Sequence, residues 1–244
     1  MCIFVPKMAN KYFQFRQFTV HQEHCAMKVG TDGTLLGAWA HGGRSVLDIG
    51  TGTGLVSLMM AQRFPEAHVV GIDIDSDAVV QARENAAASP FNNIDIVEAD
   101  ANSYSPSTFK LPHSTYEAIV SNPPYFVDSM ESSDNQRTIA RHATTLSYHG
   151  LIAAVKRLLD EDGELSVVIP FDYKALMESE AALGGLFKVR ECSIKTTPRK
   201  PPRRYLLAFR KHPVELELTE GIIETAPNVR SPWYYELTKE FYLR

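Results

Sequence analysis

The sequence predicts a doubly wound α/β domain: a mostly parallel seven-stranded sheet with an antiparallel last strand, plus an N-terminal helical segment and a C-terminal helix. Three observations carry this. From Ser45 onward, short β-branched runs alternate with amphipathic stretches, the pattern of a parallel sheet covered by helices. The first such run passes directly into a glycine-rich turn that opens a helical stretch. The chain of 244 residues, 44% hydrophobic, suits one large domain, and it shows no repeat, low-complexity tract or interdomain linker.

The strands are expected at Ser45 to Ile49, His68 to Ile74, Ile94 to Val97, Glu117 to Ser121, Glu164 to Ile169, Phe187 to Ile194 and Tyr205 to Phe209. Between them lie helical patterns at Gly54 to Phe64, Ser76 to Ala88, Leu146 to Asp160 and Tyr173 to Gly184, the second opened by Ser76 as N-cap. A Pro- and Arg-rich loop, rather than a crossover helix, separates the last two strands, which predicts a hairpin with one strand antiparallel. Thr31 to His41 reads as a short helix. Ser231 to Leu243 places aromatic and aliphatic groups at helical spacing, a stripe best explained by packing on the sheet. Residues 1–41 are expected to form a segment beside the main domain of residues 42–244.

Composition excludes several classes. The three cysteines, Cys2, Cys25 and Cys192, are odd in number and widely spaced, which fits neither a disulfide framework nor a four-ligand zinc site, so no metal is expected. Before Pro6 only Ile3 to Val5 are apolar, and no stretch approaches a membrane span, so a cytoplasmic protein with no membrane partner is expected. Met8 offers a second start. The net charge of −4 gives no global reason for a polyanionic partner, but Lys195, Arg199, Lys200, Arg203, Arg204, Arg210 and Lys211 occupy one stretch without an acid, leaving −11 for the rest. Such a patch can steer a polyanion to one face.

The glycine-rich turn lies in "VLDIGTGTGLVSLMMAQR", where an open α/β sheet binds ligand. A dinucleotide fingerprint fails, because its third glycine falls on Leu55 or Ser57, and no P-loop lysine follows. Asp48-x-Gly50-x-Gly52-x-Gly54 instead resembles motif I of the class I S-adenosylmethionine methyltransferases. Glycines let backbone approach a ligand closely, and an Asp by the turn can serve the cofactor's ammonium. Asp73, 19 residues after Gly54 and ending the second strand, can accept both ribose hydroxyls. Asp100, ending "VEAD", is placed to accept from the adenine amino group. A strand-end Asp can merely cap a helix; three in register after three successive strands point to the cofactor.

After the fourth strand comes "SNPPYF". Each X-Pro step forces the residue before it out of the helical region, and each Pro removes a donor, so the strand stops and a stiff loop follows. Asn122-Pro123-Pro124-Tyr125 here resembles motif IV of the amino-methyltransferases, which act on exocyclic base nitrogens or glutamine amides. The Asn122 side-chain oxygen and the Pro123 carbonyl can accept the hydrogens of an sp² amino group and free its lone pair. Tyr125 can stack on a planar substrate.

The segment "FRQFTVHQEHCAMKVGTDGTLLGAWA", the motif set, "QRTIARHATTL", "RYLLAF" and the closing "FYL" together resemble the bacterial valine-tRNA adenine-37-N6 methyltransferases, over most of the chain. That resemblance implies S-adenosyl-L-methionine as cofactor and the anticodon loop of a valine tRNA as partner. It places Lys28 and Thr31 in a segment closing over the methionine end of the cofactor, and Asn122 to Tyr125 around the target adenine. Arg199, Lys200, Arg203 and Arg204 become candidates for gripping RNA phosphates; Arg141 and His142 are better read as structural. Rival readings are a release-factor glutamine methyltransferase, which would carry an additional N-terminal helical domain, a guanine-N2 rRNA or adenine-N6 DNA methyltransferase, and a non-catalytic RNA-assembly factor. The oligomeric state stays open, with a monomer favoured.

Overall fold

The computed structural model describes residues 10–23, 28–124 and 146–243. Tyr125, Arg141, His142, Cys2, Cys25 and Met8 lie outside the described residues. The chain begins with a small antiparallel hairpin, β1 (Tyr12–Gln14) and β2 (Thr19–His21), followed by helix α1 (Thr31–Trp39). The main sheet then grows from β3 (Ser45–Ile49), β4 (His68–Asp73), β5 (Ile94–Glu98), β6 (Tyr116–Ser121), β7 (Leu159–Pro170), β8 (Phe187–Lys195), β9 (Pro202–Arg210) and β10 (Glu217–Ile222). Helices α2 (Leu55–Arg63), α3 (Ser76–Ala88), α4 (Tyr148–Leu158) and α5 (Lys174–Leu183) connect them, and α6 (Pro232–Thr238) closes the chain after a second small hairpin, β11 (Glu224–Ala226) with β12 (Val229–Arg230).

The strand order is β10-β8-β9-β7-β6-β3-β4-β5. β9 runs antiparallel between β7 and β8, and the other neighbouring pairs are parallel. The predicted hairpin and antiparallel strand are therefore present, but the sheet has eight strands rather than seven. The additional β10 is an edge strand, "ELTEGI", whose first four residues are exposed; with no apolar alternation it gave no periodic signal. Two further expectations shift. The closing helix ends at Thr238, short of Leu243, and the cap of α3 is Asp75, whose side chain accepts from the N–H groups of Asp77 and Ala78, while Ser76 is already helical.

The central strand β3 is buried along its whole length, and its neighbours β4 and β6 nearly so, because helices cover both faces. Successive side chains of β3 feed opposite cores, Val46 with Leu36, Met60 and Leu206 on one face, and Leu47 with Leu151, Val155 and Phe209 on the other. A third cluster, with Phe15, Phe18 and Val20 against Leu58, Met59 and Phe241, fastens the N-terminal hairpin to α2 and the C-terminus. Fully burying one such side chain stabilises by about 1.5–3 kcal/mol, so the strand ends are held by rigid cores. Among the described residues, no helix is long and apolar enough to cross a membrane, and no cluster of His, Cys, Asp or Glu could hold a metal.

Candidate active site

The sheet reverses its winding between β3 and β6, so their carboxyl ends flank the crevice where ligands of such folds bind. Ile49 pairs with Ser121, which sets Gly50 and Asn122 level just past the ends of adjacent strands, and Ser121 Oγ donates to the Ile49 carbonyl at 2.8 Å. A cavity of about 740 Å³ opens there, within the size range of small-molecule sites. Its lining includes Asp48, Gly50, Gly52, Asp73, Asp100, Asn122, Pro123 and Pro124, together with Lys28 and Thr31.

The turn owes its shape to its glycines. Gly50, Gly52 and Gly54 have φ of 74°, 55° and 81°, a region where other residues are strained. A Cβ on Gly50 or Gly52 would meet no atom within 4 Å, so that backbone faces open cavity; at Gly54 it would press on the Ala82 Cβ at 3.3 Å. Gly54, outside the lining, is thus a packing glycine at the N-cap of α2.

Asp48 is 1% exposed. Its Oδ2 accepts from Thr51 Oγ1 at 2.7 Å, Ser57 Oγ at 2.8 Å and Ser57 N–H at 3.0 Å. Burial nevertheless pushes its pKa up to about 6, outweighing those hydrogen bonds. Asp73 is pinned by the N–H of Gly52 on Oδ2 at 2.8 Å and of Asp75 on Oδ1 at 3.0 Å. Burial raises its pKa too, against the pull of those two N–H groups. Asp100 Oδ1 accepts from the backbone and side-chain nitrogens of Asn102, a turn that fixes the carboxylate at the end of β5.

The N-terminal side closes the cavity through residues 28–33. Buried Gln22 bridges Asn10 and Val29, Lys28 Nζ donates to the Gln22 carbonyl, and fully buried Asn85 of α3 bonds His21 and the Thr53 carbonyl together. Sequence reading missed Gln22, Asn85, Thr51 and Ser57, since a polar residue of short reach shows no pattern of its own until its partners are in place.

The four basic candidates separate. Arg199 and Lys200 are exposed in the turn after β8, and Arg203 is exposed at the start of β9. Arg204 instead lines the cavity and forms an ion pair with Asp32 in the first turn of α1. Lys195, Arg210 and Lys211 pair with Glu220, Glu164 and Glu161. The acid-free stretch is thus partly neutralised by carboxylates from elsewhere in the chain.

Comparison with known proteins agrees with this geometry. Residues 32–195 match the family model of the methyltransferase small domain. The chain is 45% identical over 241 residues to the tRNA1(Val) (adenine(37)-N6)-methyltransferase of Bacteroides thetaiotaomicron, covering 97% of this chain and 99% of that one. It is 46% identical over 239 residues to the protein of the same name in Phocaeicola vulgatus, with the same coverage. Among solved structures, an Agrobacterium tumefaciens protein described as a predicted O-methyltransferase superposes with a TM-score of 0.65 at 20% identity, over 86% of this chain and 96% of the other, a likeness of fold. With near-complete coverage at this identity, and with the glycine turn and Asn-Pro-Pro loop meeting at one crevice, the chain belongs to the tRNA1(Val) (adenine(37)-N6)-methyltransferase family.

Proposed function

We propose that the protein uses S-adenosyl-L-methionine to methylate N6 of adenine 37 in the anticodon loop of a valine tRNA. The observation that carries this is the Ile49–Ser121 register, which sets the glycine turn and the Asn-Pro-Pro loop around one cavity. The residues fit the cofactor: glycine backbone with nothing in front of it, a buried carboxylate at Asp48, further acceptors at Asp73 and Asp100, and the N-terminal ends of α1 and α2, which favour a carboxylate. Asp48 with Gly50 and Gly52 would hold the amino-acid end, Asp73 the ribose and Asp100 the adenine, with Lys28 and Thr31 in the closing segment. When bound, the cofactor supplies an electrophilic methyl group.

The chain's own task is to prepare a poor nucleophile. The adenine amino lone pair is delocalised into the ring. Asn122 and Pro123 line the cavity; the Asn122 side-chain oxygen and the Pro123 carbonyl would accept hydrogen bonds from the amino group's two N–H donors, which draws the nitrogen toward tetrahedral geometry. Pro123 and Pro124 fix φ, so these acceptors do not need to reorganise. After transfer the surplus proton stays on the methylated nitrogen, hydrogen-bonded to these oxygens, until water takes it, and no strong base is needed. Tyr125, outside the described residues, would stack on the adenine. Most of the rate then comes from positioning. Arg199, Lys200 and Arg203 would hold flanking phosphates.

Transfer of radiolabelled methyl to total small RNA, followed by nucleoside analysis, tests this. Wild-type protein should place label in N6-methyladenosine of a valine tRNA, and Asn122→Ala should lower the rate by about 100-fold or more while leaving cofactor affinity intact. Label in a protein fraction and none in RNA would replace the base by a glutamine amide.

A further inference from the structure

The rim beyond the cavity carries an aromatic ring without a role in the core. β7 ends at Pro170, paired with Arg204 of β9, and the chain then makes a short turn over Phe171–Tyr173. Phe171 in that turn is 57% exposed. Its neighbour Tyr205, 6.4 Å away between centroids, is partly buried and has the Lys174 ammonium 5.0 Å above its ring. Leaving much of a phenylalanine in water forgoes the apolar burial for which the residue is normally used. On the same rim stand Arg199, Lys200 and Arg203, all exposed and, among the described residues, without a carboxylate partner.

Position gives these groups meaning. β7 is the strand next to β6, whose end carries Asn122, and β9 is the next one out. Strands lie about 5 Å apart, so moving outward from the cavity one meets amino-group acceptors, then an exposed ring, then unpaired cations. Aromatic rings flanked by cations bind single-stranded nucleic acid by stacking bases and holding phosphates. Asp172, exposed beside the ring, disfavours a phosphate there and leaves the ring to a base.

We propose that Phe171 is the stacking platform for a nucleotide next to the target adenine, with Arg199, Lys200 and Arg203 holding the adjoining phosphates. This rests on the RNA-substrate reading above. The experiment measures kcat and KM for methyl transfer to a valine anticodon stem-loop by wild type, Phe171→Ala and Phe171→Trp, with cofactor affinity by calorimetry. Phe171→Ala should raise KM for RNA about tenfold, as expected for loss of one base–aromatic stack, and leave cofactor affinity unchanged, and Phe171→Trp should restore KM. An abasic site beside the target should weaken wild type and have no further effect on Phe171→Ala, a response that a purely structural phenylalanine would not give. Wild-type methylation of adenine with KM unchanged in Phe171→Ala would overturn the platform alone. Absence of wild-type methylation of any RNA would overturn the substrate reading, and the platform with it.

Discussion

Asp48, buried at the wall of the cavity, carries a charge that costs the fold stability. Its folded pKa of about 6 lies above the ordinary 3.8, so the folded chain binds this proton more tightly than the unfolded chain. Stability therefore falls as pH rises between about 4 and 6, and the cost persists in full above that window. Asp48→Asn keeps an oxygen for Thr51 and Ser57 and removes the charge. The cofactor-free variant should be more stable than wild type at pH 7.5, by an amount on the order of 1–3 kcal/mol. The gain should shrink as pH drops from 6 toward 4, and cofactor affinity should fall steeply. Denaturant unfolding at pH 7.5 and at about pH 4, with calorimetric titration, checks both; a variant less stable than wild type at pH 7.5 would show that the buried carboxylate is net stabilising. The place of Asp48 at the cavity was legible because it sits at a fixed offset from Gly50 in the strand-to-turn motif. That of Arg204 was not: in sequence it is one of seven cations, and only its pairing with Asp32, 172 residues away, turns it toward the cavity.

At the scale of elements, the strand–turn–helix unit of β3 and α2 divides its glycines between two duties. Gly52 presents backbone to open cavity, whereas Gly54 makes room for Ala82 of α3. Both have positive φ, so an alanine at either costs about 1–2 kcal/mol. The two variants should separate in binding. Gly52→Ala should put a methyl into the open cavity proposed to hold the cofactor, and lose cofactor affinity beyond its stability cost. Gly54→Ala should lose more stability and, where still folded, keep more affinity. Thermal unfolding and calorimetry on the pair test this, and equal affinity losses would remove the distinction. This unit was readable in advance because turn and strand are local. The edge strand β10 was not, since its mostly exposed residues show no apolar alternation and are held to β8 by the backbone ladder and the Lys195–Glu220 ion pair, partners more than 20 residues away in sequence.

Across the whole molecule, the far end of the sheet is tied by Glu164, 4% exposed on β7. It accepts from Arg190 of β8 at 2.6 Å, from Arg210 of β9 at 3.0 and 3.1 Å, and lies 3.3 Å from His41 after α1. Arg190 also lies 3.9 Å over the Trp39 ring. Burial alone would raise the Glu164 pKa, but the hydrogen bonds from His41 and Arg190 and their charges hold it at about 2. This stabilisation is present above the ordinary 4.5 and lost as pH falls from there toward 2. Glu164→Ala, which strands two partly buried guanidiniums, should cost about 3 kcal/mol at pH 7. The gap to wild type should narrow between pH 4.5 and 2 in urea unfolding; a constant gap would assign the loss to packing. Sequence alone determined the alternation of strands and helices, the glycine turn, the strand-end acids and the Asn-Pro-Pro stop, because each is set by backbone chemistry within a few residues. Only the tertiary structure decided that β9 inserts between β7 and β8, which cations of the basic stretch are neutralised, and that Gly50 and Asn122 stand level at one cavity. Those outcomes depend on strand order and register, which arise from contacts between residues tens to hundreds of positions apart.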